Sequence, residues 1–288
     1  MSAQDQALKP PAVTLLYVPA DQQARVAKAL TLDADVVIVD LEDSVAPGCK
    51  AAARVELPGI LATRDSQRVQ VRVNGLGTPW GPDDLAMVRD LDPDVEVRLP
   101  KVESPADVDR ALEAMDNGRR VHCLLETATA VEHAFDIGSH GPNLASIGLG
   151  EQDLRSQLGL AHDTALDWAR GRLVMAAAAS GLPPPVQSVY TRLRDFEGLA
   201  QSCAAGRARG FVGRCAIHPA QLPVIRSAFR PDAEDVRRAR ELLVELKTAH
   251  DGGRGVAVLE DGSFVDAAMA AGARRVLQLE EATARADG

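Results

Sequence analysis

Short apolar runs recur along the chain and alternate with longer segments in which apolar residues fall three or four positions apart. The runs are TLLYVP from Thr14, DVVIVD from Asp35, VQVRVN from Val69, VEVRLP from Val95, VHCLLE from Val121, LASIGLG from Leu144, VQSVY from Val186 and VGRCAIHP from Val212. Runs of this length and β-branched content predict strands, and the intervals predict helices, among them Gln22 to Leu30, Pro105 to Met115 and Thr164 to Ala179. Pro183, Pro184 and Pro185 break the pattern just before the seventh run. Eight strand-helix units predict an α/β fold of the (β/α)8 TIM-barrel type. A doubly wound sheet more often stops at five or six strands and opens on a glycine-rich turn, and no G-x-G-x-x-G follows the first run.

Past the eighth unit the pattern becomes helical. Asp232 is placed to cap a helix whose stripe is Val236, Ala239, Leu242, Leu243 and Leu246. A glycine-rich loop or hairpin follows, and a last helix is predicted from about Ala267. The expected organisation is a flexible leader over residues 1–12, a catalytic barrel over 13–230, and a C-terminal helical lid extension over 231–288 that reaches a neighbouring subunit.

Composition narrows the functions open to such a barrel. The 288 residues carry 32 Lys and Arg against 41 Asp and Glu, a net charge of -9 that offers no basic field for nucleic acid. No apolar stretch is long enough for a membrane span, and the N-terminal residues lack the apolar core of a signal peptide. Cys49, Cys123, Cys203 and Cys215 are widely spaced, with no C-x-x-C pair, and read as reduced thiols in the cytoplasm.

In barrels of this type the chemistry sits where the strands end, and here those positions are rich in polar residues. The second run ends in Asp40, Glu42 and Asp43, and the third carries Arg72 and Asn74. Lys101 and Glu103 follow the fourth run, Glu126 the fifth, Glu151 and Asp153 the sixth, and His218 the eighth. Several carboxylates without a His/Cys cluster suit a hard divalent cation, with magnesium the first expectation. Glu126 and Asp153, on neighbouring strands, are a candidate ligand pair; spacing alone equally allows two unrelated acidic loop residues.

The strings LLYVPADQQARVAKAL, ADVVIVDLEDSVAPGCKAAAR, VRVN, LPKVES, LLETATAV, GEQDL, GFVGRCAIHPAQL and GSFVDAAM, in this order from about residue 13 to 280, resemble the citrate lyase β-subunit-like branch of the HpcH/HpaI aldolase superfamily. The resemblance implies a Mg²⁺-dependent barrel that makes or breaks a carbon-carbon bond between an acyl thioester, usually of CoA, and an α-keto acid. The substrates it implies are citramalyl-, malyl- or citryl-CoA. A variant that also hydrolyses the thioester and a non-catalytic thioester-binding barrel are the alternatives. By the same resemblance Glu126 and Asp153 hold the metal, Arg72 stabilises the thioester enolate oxygen, and Glu42 and Asp43 line the site beside the metal. Asp266 is the expected general base, donated to an adjacent subunit in a homotrimer or dimer of trimers, although it also suits a helix N-cap.

Other matched positions carry further expectations. Lys50 and Arg54 follow the DLED turn and are expected either in salt bridges or on CoA phosphates, while Pro19 and Ala20 form a turn where backbone approaches the ligand closely. Lys101 reads as a rim charge or ion-pair partner, His218 as a hydrogen-bonded anchor, and Asn74 as a group orienting Arg72 or a loop. Two strings depart from the family pattern. ETATA, residues 126–130, stands where many relatives have ETARG, so Ala130 is expected to narrow the keto-acid pocket. GEQDL replaces GAEDL, placing Glu151 after Gly150 at that pocket, and FVDAA lacks a proline often found after the Asp. A changed keto-acid preference is the expected result.

Overall fold

The computed structural model describes residues 11–115 and 118–284. Seven strands, β1 (Thr14–Pro19), β2 (Val36–Asp40), β3 (Val69–Arg72), β4 (Glu96–Leu99), β5 (Val121–Leu125), β6 (Leu144–Leu149) and β7 (Arg214–Ala216), form one parallel sheet in the order β6-β5-β4-β3-β2-β1-β7. Helices join them in the expected alternation, including Gln23–Ala29, Pro105–Met115 and Asp167–Ala179. Gly148 of β6, Tyr17 of β1 and Cys215 of β7 line one cavity, so the sheet curls until its distant strands face each other.

The expected closed eight-stranded barrel is not formed. The run from Val186 contributes only an isolated bridge, Gln187 opposite Arg214, made by Gln187 N donating to Gly213 O at 2.8 Å and Cys215 N donating to Gln187 O at 2.9 Å. The three prolines upstream fix φ and offer no N–H, so pairing cannot extend in that direction, and among the described residues the backbone bonds to residues 212–215 come from Pro185 and Gln187 alone, too few for a ladder. It lies beside β7, and β6 ends the strand order on the other side of a seam. The architecture is therefore a TIM-barrel-like, curled parallel half-barrel.

The outer face of the sheet packs on the helices through a continuous core that includes Val37, Val39, Val71, Val97, Leu99 and Leu125, all fully buried. The inner face is divided. Leu15, Val36, Ile38 and Cys215 make an apolar patch on the β1, β2 and β7 side. On the β3 to β6 side the inward positions are polar: Arg98 donates to Gln70 Oε1, and His122 joins Glu96 to Ser146 at 2.9 and 2.7 Å.

After the sheet, helix Ala233–Asp251 is capped by Asp232, which accepts from Asp235 N at 2.7 Å. An antiparallel hairpin, β8 (Val256–Val258) and β9 (Phe264–Asp266), and a helix Ala270–Ala284 follow. These elements share a core of Leu242, Ala257, Leu259, Val265 and Ala273. Most of the expected leader, residues 1–10, lies outside the described residues. Among the described residues no helix is long and apolar enough to cross a membrane.

Candidate active site

A cavity of about 400 Å³ opens at the C-terminal ends of the strands, where Asp40, Arg72, Glu126 and Asp153 meet. Cα pairing sets the first contact: β2 and β3 place Asp40 opposite Arg72. Arg72 Nε and Nη2 donate to the two carboxylate oxygens of Asp40, both at 2.7 Å, in the planar fork that only arginine offers. Its Nη1 stands 3.1 Å from Glu42 Oε2 and 3.6 Å from Asp43 Oδ2, and its plane lies 5.0 Å from the Tyr17 ring centre. Burial works against both charges of the Arg72–Asp40 pair, but the paired hydrogen bonds outweigh it. Arg72 is held above its usual pKa and Asp40 below the ordinary carboxylate range.

Lys101 links this pair to Glu126. It is the one described non-glycine residue with positive φ, at 55°, a conformation that costs on the order of 1 kcal/mol. The turn it makes aims its backbone N–H at Glu126 Oε2, at 2.9 Å, and its ammonium at Glu42 Oε1, also at 2.9 Å. Glu126 itself is buried, and its carboxyl is pushed up to about 8, first by burial and then by the charges of Glu42 and Asp153. Burial likewise raises Glu42. Gly150 makes this packing possible: a Cβ there would stand 2.4 Å from Glu126 Cγ and 2.8 Å from its Oε1.

Among the described residues, the ion pairs made by Asp40, Glu42 and Asp43 beside Glu126 and Asp153 come from Arg72 and Lys101. An excess of carboxylate oxygens around a buried acid kept from ionising is a donor set that a hard divalent cation completes. Among the described residues no three His, Cys, Asp or Glu side chains form a closed metal cage. Glu126 and Asp153 would therefore hold the ion with waters or substrate oxygens in the remaining positions.

Several expected site residues are placed elsewhere. Lys50 is a correction: it is buried and gives its ammonium to Leu41 O, Glu42 O and Asn74 Oδ1 at 2.8, 2.6 and 2.7 Å. It fastens the DLED turn and has no donor left for a CoA phosphate. Arg54 likewise pairs with Asp84 at 2.7 Å and Asp83 at 3.0 Å, the salt-bridge half of its expectation. Ala130 does not narrow the pocket; it is fully buried in the helix-side core, and its N–H donates to Thr127 Oγ1. Glu151 borders the cavity, but its carboxylate is turned to Arg170, with which it makes a buried two-point pair at 2.9 and 2.6 Å. Ala20 is buried behind the rim, whereas Pro19 lines it. Asn74 orients the loop, accepting from Lys50 and donating to Leu41 O and Asp84, and His218 accepts from Ala220 N as an anchor.

Asp266 ends β9, caps the following turn by accepting from Ala268 N at 3.0 Å, and is not among the residues lining the cavity of its own chain. Tyr17 and Arg98 also line the cavity and were not among the expected site residues. Arg98 had a signal: VEVRLP, like VQVRVN, carries polar residues at every second position, although strands of a buried parallel sheet are usually apolar throughout.

A half-barrel whose strand ends hold a fixed arginine and a cation-ready carboxylate pair defines a class, the metal-assisted lyases and aldolases of the TIM-barrel type. The chain belongs to the HpcH/HpaI aldolase/citrate lyase family, whose sequence profile matches residues 13–219. It is 36% identical over 276 residues to a (3S)-malyl-CoA thioesterase of Cereibacter sphaeroides, covering 94% of this chain and 95% of that one. It is 30% identical to the citrate lyase subunit beta of Leuconostoc mesenteroides subsp. cremoris, over 93% of each chain. It is 29% identical to an L-malyl-CoA/beta-methylmalyl-CoA lyase of Cereibacter sphaeroides, covering 88% of this chain and 89% of that one. Its fold matches CitE from Mycobacterium tuberculosis, solved in complex with magnesium, acetoacetate and coenzyme A, at a TM-score of 0.80 and 32% identity, over 95% of this chain and 100% of that chain.

Proposed function

We propose that this chain is a Mg²⁺-dependent carbon-carbon lyase that cleaves, or forms, a 3-hydroxyacyl-CoA of the malyl, citramalyl or citryl type, giving an acyl-CoA and an α-keto acid. The observation that carries this reading is the buried Glu126 carboxyl, held near pKa 8 beside Asp153 and within reach of a rigid Arg72. Glu126 and Asp153 would hold Mg²⁺ there, and the ion would supply positive charge that makes the 3-hydroxyl more acidic.

The chain's own residues do the rest. A carboxylate base takes the hydroxyl proton, and the bond between C2 and C3 breaks with its electron pair passing to the thioester as an enolate. Arg72, locked by Asp40, stabilises the enolate oxygen without having to reorganise. Protonation of the enolate carbon completes the acyl-CoA. Asp266 supplies the base from a neighbouring copy, which makes the working enzyme a homotrimer or dimer of trimers. The exposed apolar side chains of Val256, Val258 and Phe264, on the hairpin that carries Asp266, support that docking. The four free cysteines, three of them buried, suit a cytoplasmic enzyme.

A second reading, hydrolysis of the thioester in the same site, is favoured by the 36% identity with the (3S)-malyl-CoA thioesterase. One assay separates the two: Mg²⁺-dependent turnover of malyl-, citramalyl- and citryl-CoA, with keto acid and free thiol followed independently. Keto acid without thiol establishes the lyase, and thiol without keto acid the hydrolase. Both together indicate carbon-carbon cleavage accompanied by hydrolysis, and the absence of both products refutes the proposal for these substrates.

A further inference from the structure

Level with Arg72 on the adjacent strand β4, the same cavity holds a positive group that this chemistry leaves unused. Arg98, on β4, is 6% exposed and lines the cavity. Its Nε and Nη2 both donate to Gln70 Oε1, at 3.0 and 2.8 Å, and among the described residues it forms no ion pair. The carboxylate on its own strand, Glu96, is engaged by His122 at 2.9 Å, Arg120 at 3.4 Å and Arg68 at 3.8 Å. Tyr17 and Cys215 share the cavity lining but supply no anion, because burial raises both above their usual pKa. A buried guanidinium whose only hydrogen-bond acceptor is a neutral amide oxygen is costly unless an opposite charge joins it.

The cavity has room for that charge. Arg98 Nη1 lies 3.8 Å from where a Gly148 Cβ would stand, just as the Glu126 carboxylate fills the space beside Gly150. The two glycines are alternate residues, so their inward sides are about 7 Å apart along one wall. A small dianion can meet the cation site at one end and Arg98 at the other.

The geometry points to Arg98 as the receptor for a second substrate carboxylate, so that the preferred thioester is one whose cleavage releases a 2-oxodicarboxylate rather than a 2-oxomonocarboxylate. This rests on reading the site as a Mg²⁺ and keto-acid site, and it makes Arg98 a specificity residue with no part in proton transfer. Gln70 positions it by accepting two of its hydrogen bonds, leaving Nη1 for the ligand.

The test is calorimetric titration of the protein in Mg²⁺ and chloride-free buffer with oxaloacetate and with pyruvate, repeated on Arg98→Gln and Arg98→Lys. The wild type is expected to bind oxaloacetate about tenfold tighter than pyruvate or better. Arg98→Gln is expected to bring that ratio to about one with pyruvate affinity unchanged, and Arg98→Lys to keep part of it. A wild-type ratio near one, which needs no variant to fold, overturns the proposal, as does an unchanged ratio in Arg98→Gln. Chloride added back is expected to weaken oxaloacetate binding and leave pyruvate binding unchanged, and chloride that weakens both equally overturns the assignment. If neither keto acid binds in Mg²⁺, the reading of the whole site fails and this inference with it.

Discussion

Because Glu126 changes charge within the ordinary working range of pH, metal binding and stability are both tied to it. Burial and two neighbouring carboxylates raise its pKa from 4.5 to about 8 in the folded chain. Between those values the folded state holds a proton that the unfolded state has lost. This group's contribution to stability is therefore full below about pH 4.5 and falls as the pH rises through 8. The whole difference amounts to roughly 5 kcal/mol. At pH 7 about nine folded molecules in ten still carry the proton, so binding of Mg²⁺ to the ionised carboxylate expels about 0.9 proton per ion. Apparent Mg²⁺ affinity should then rise about tenfold per pH unit up to 8 and level off above it. Calorimetry in two buffers of different ionisation enthalpy counts the protons directly, and melting curves from about pH 5 to 9 follow the stability. Glu126→Gln should remove both the proton release and this part of the pH slope. An Mg²⁺ affinity that is flat between about pH 6 and 8, or the same slope in wild type and variant, would refute the reasoning.

Other substitutions separate the parts of the site. Gly150→Ala drives a methyl into Glu126, so Mg²⁺ affinity measured by titration should drop about 10- to 100-fold, with a stability loss of about 1–3 kcal/mol in chemical denaturation. Arg170→Leu strands the buried Glu151 carboxylate and should cost about 3–5 kcal/mol, while KM measured below the melting range stays unchanged. Arg72→Lys keeps the charge but loses the fork to Asp40, and should lower kcat by about 10²-fold or more with Mg²⁺ affinity retained. Asp266→Ala and Glu126→Gln should each be inactive alone. Unfolded together and reassembled at equal amounts, they should recover about a quarter of wild-type activity if each site draws Asp266 from a neighbour, and none if it does not.

The parallel α/β character and most elements were legible because each β run is short, branched and bounded by a helical period. The seventh run misled for a physical reason: VQSVY has strand composition, but the three prolines before it offer no N–H through which pairing could extend upstream, and its own backbone bonds to residues 212–215 stop at Gln187. In the site, Glu126, Asp153 and Arg72 were readable because strand ends in such folds point into the mouth. Glu151 and Lys50 were not, since the partners that decide their direction, Arg170 and the carbonyls of the DLED turn, are set by packing rather than by spacing. Ala130 stands where the family motif has glycine and was expected at the pocket, yet the helix containing it turns that face to the core. Arg98 was written in the alternation of VEVRLP, inside the strand rather than at or after its end, where Asp40, Arg72, Glu126 and Asp153 stand.

The seam beside β6 gives the cavity one compliant wall. Gly148 and Leu149 line it from one side and Val186 to Val189 from the other, and no strand ladder spans the gap. Widening that wall breaks side-chain contacts but no rung of the sheet, unlike any distortion across β2 and β3, whose four-rung register is clamped by neighbours on both sides. Hydrogen exchange should therefore be fastest along the free edge of β6 and slowest in β2. A pocket hinged in this way takes up a bulkier acyl branch through a few side chains on one margin, leaving the carboxylates and Arg72 undisturbed on the rigid half.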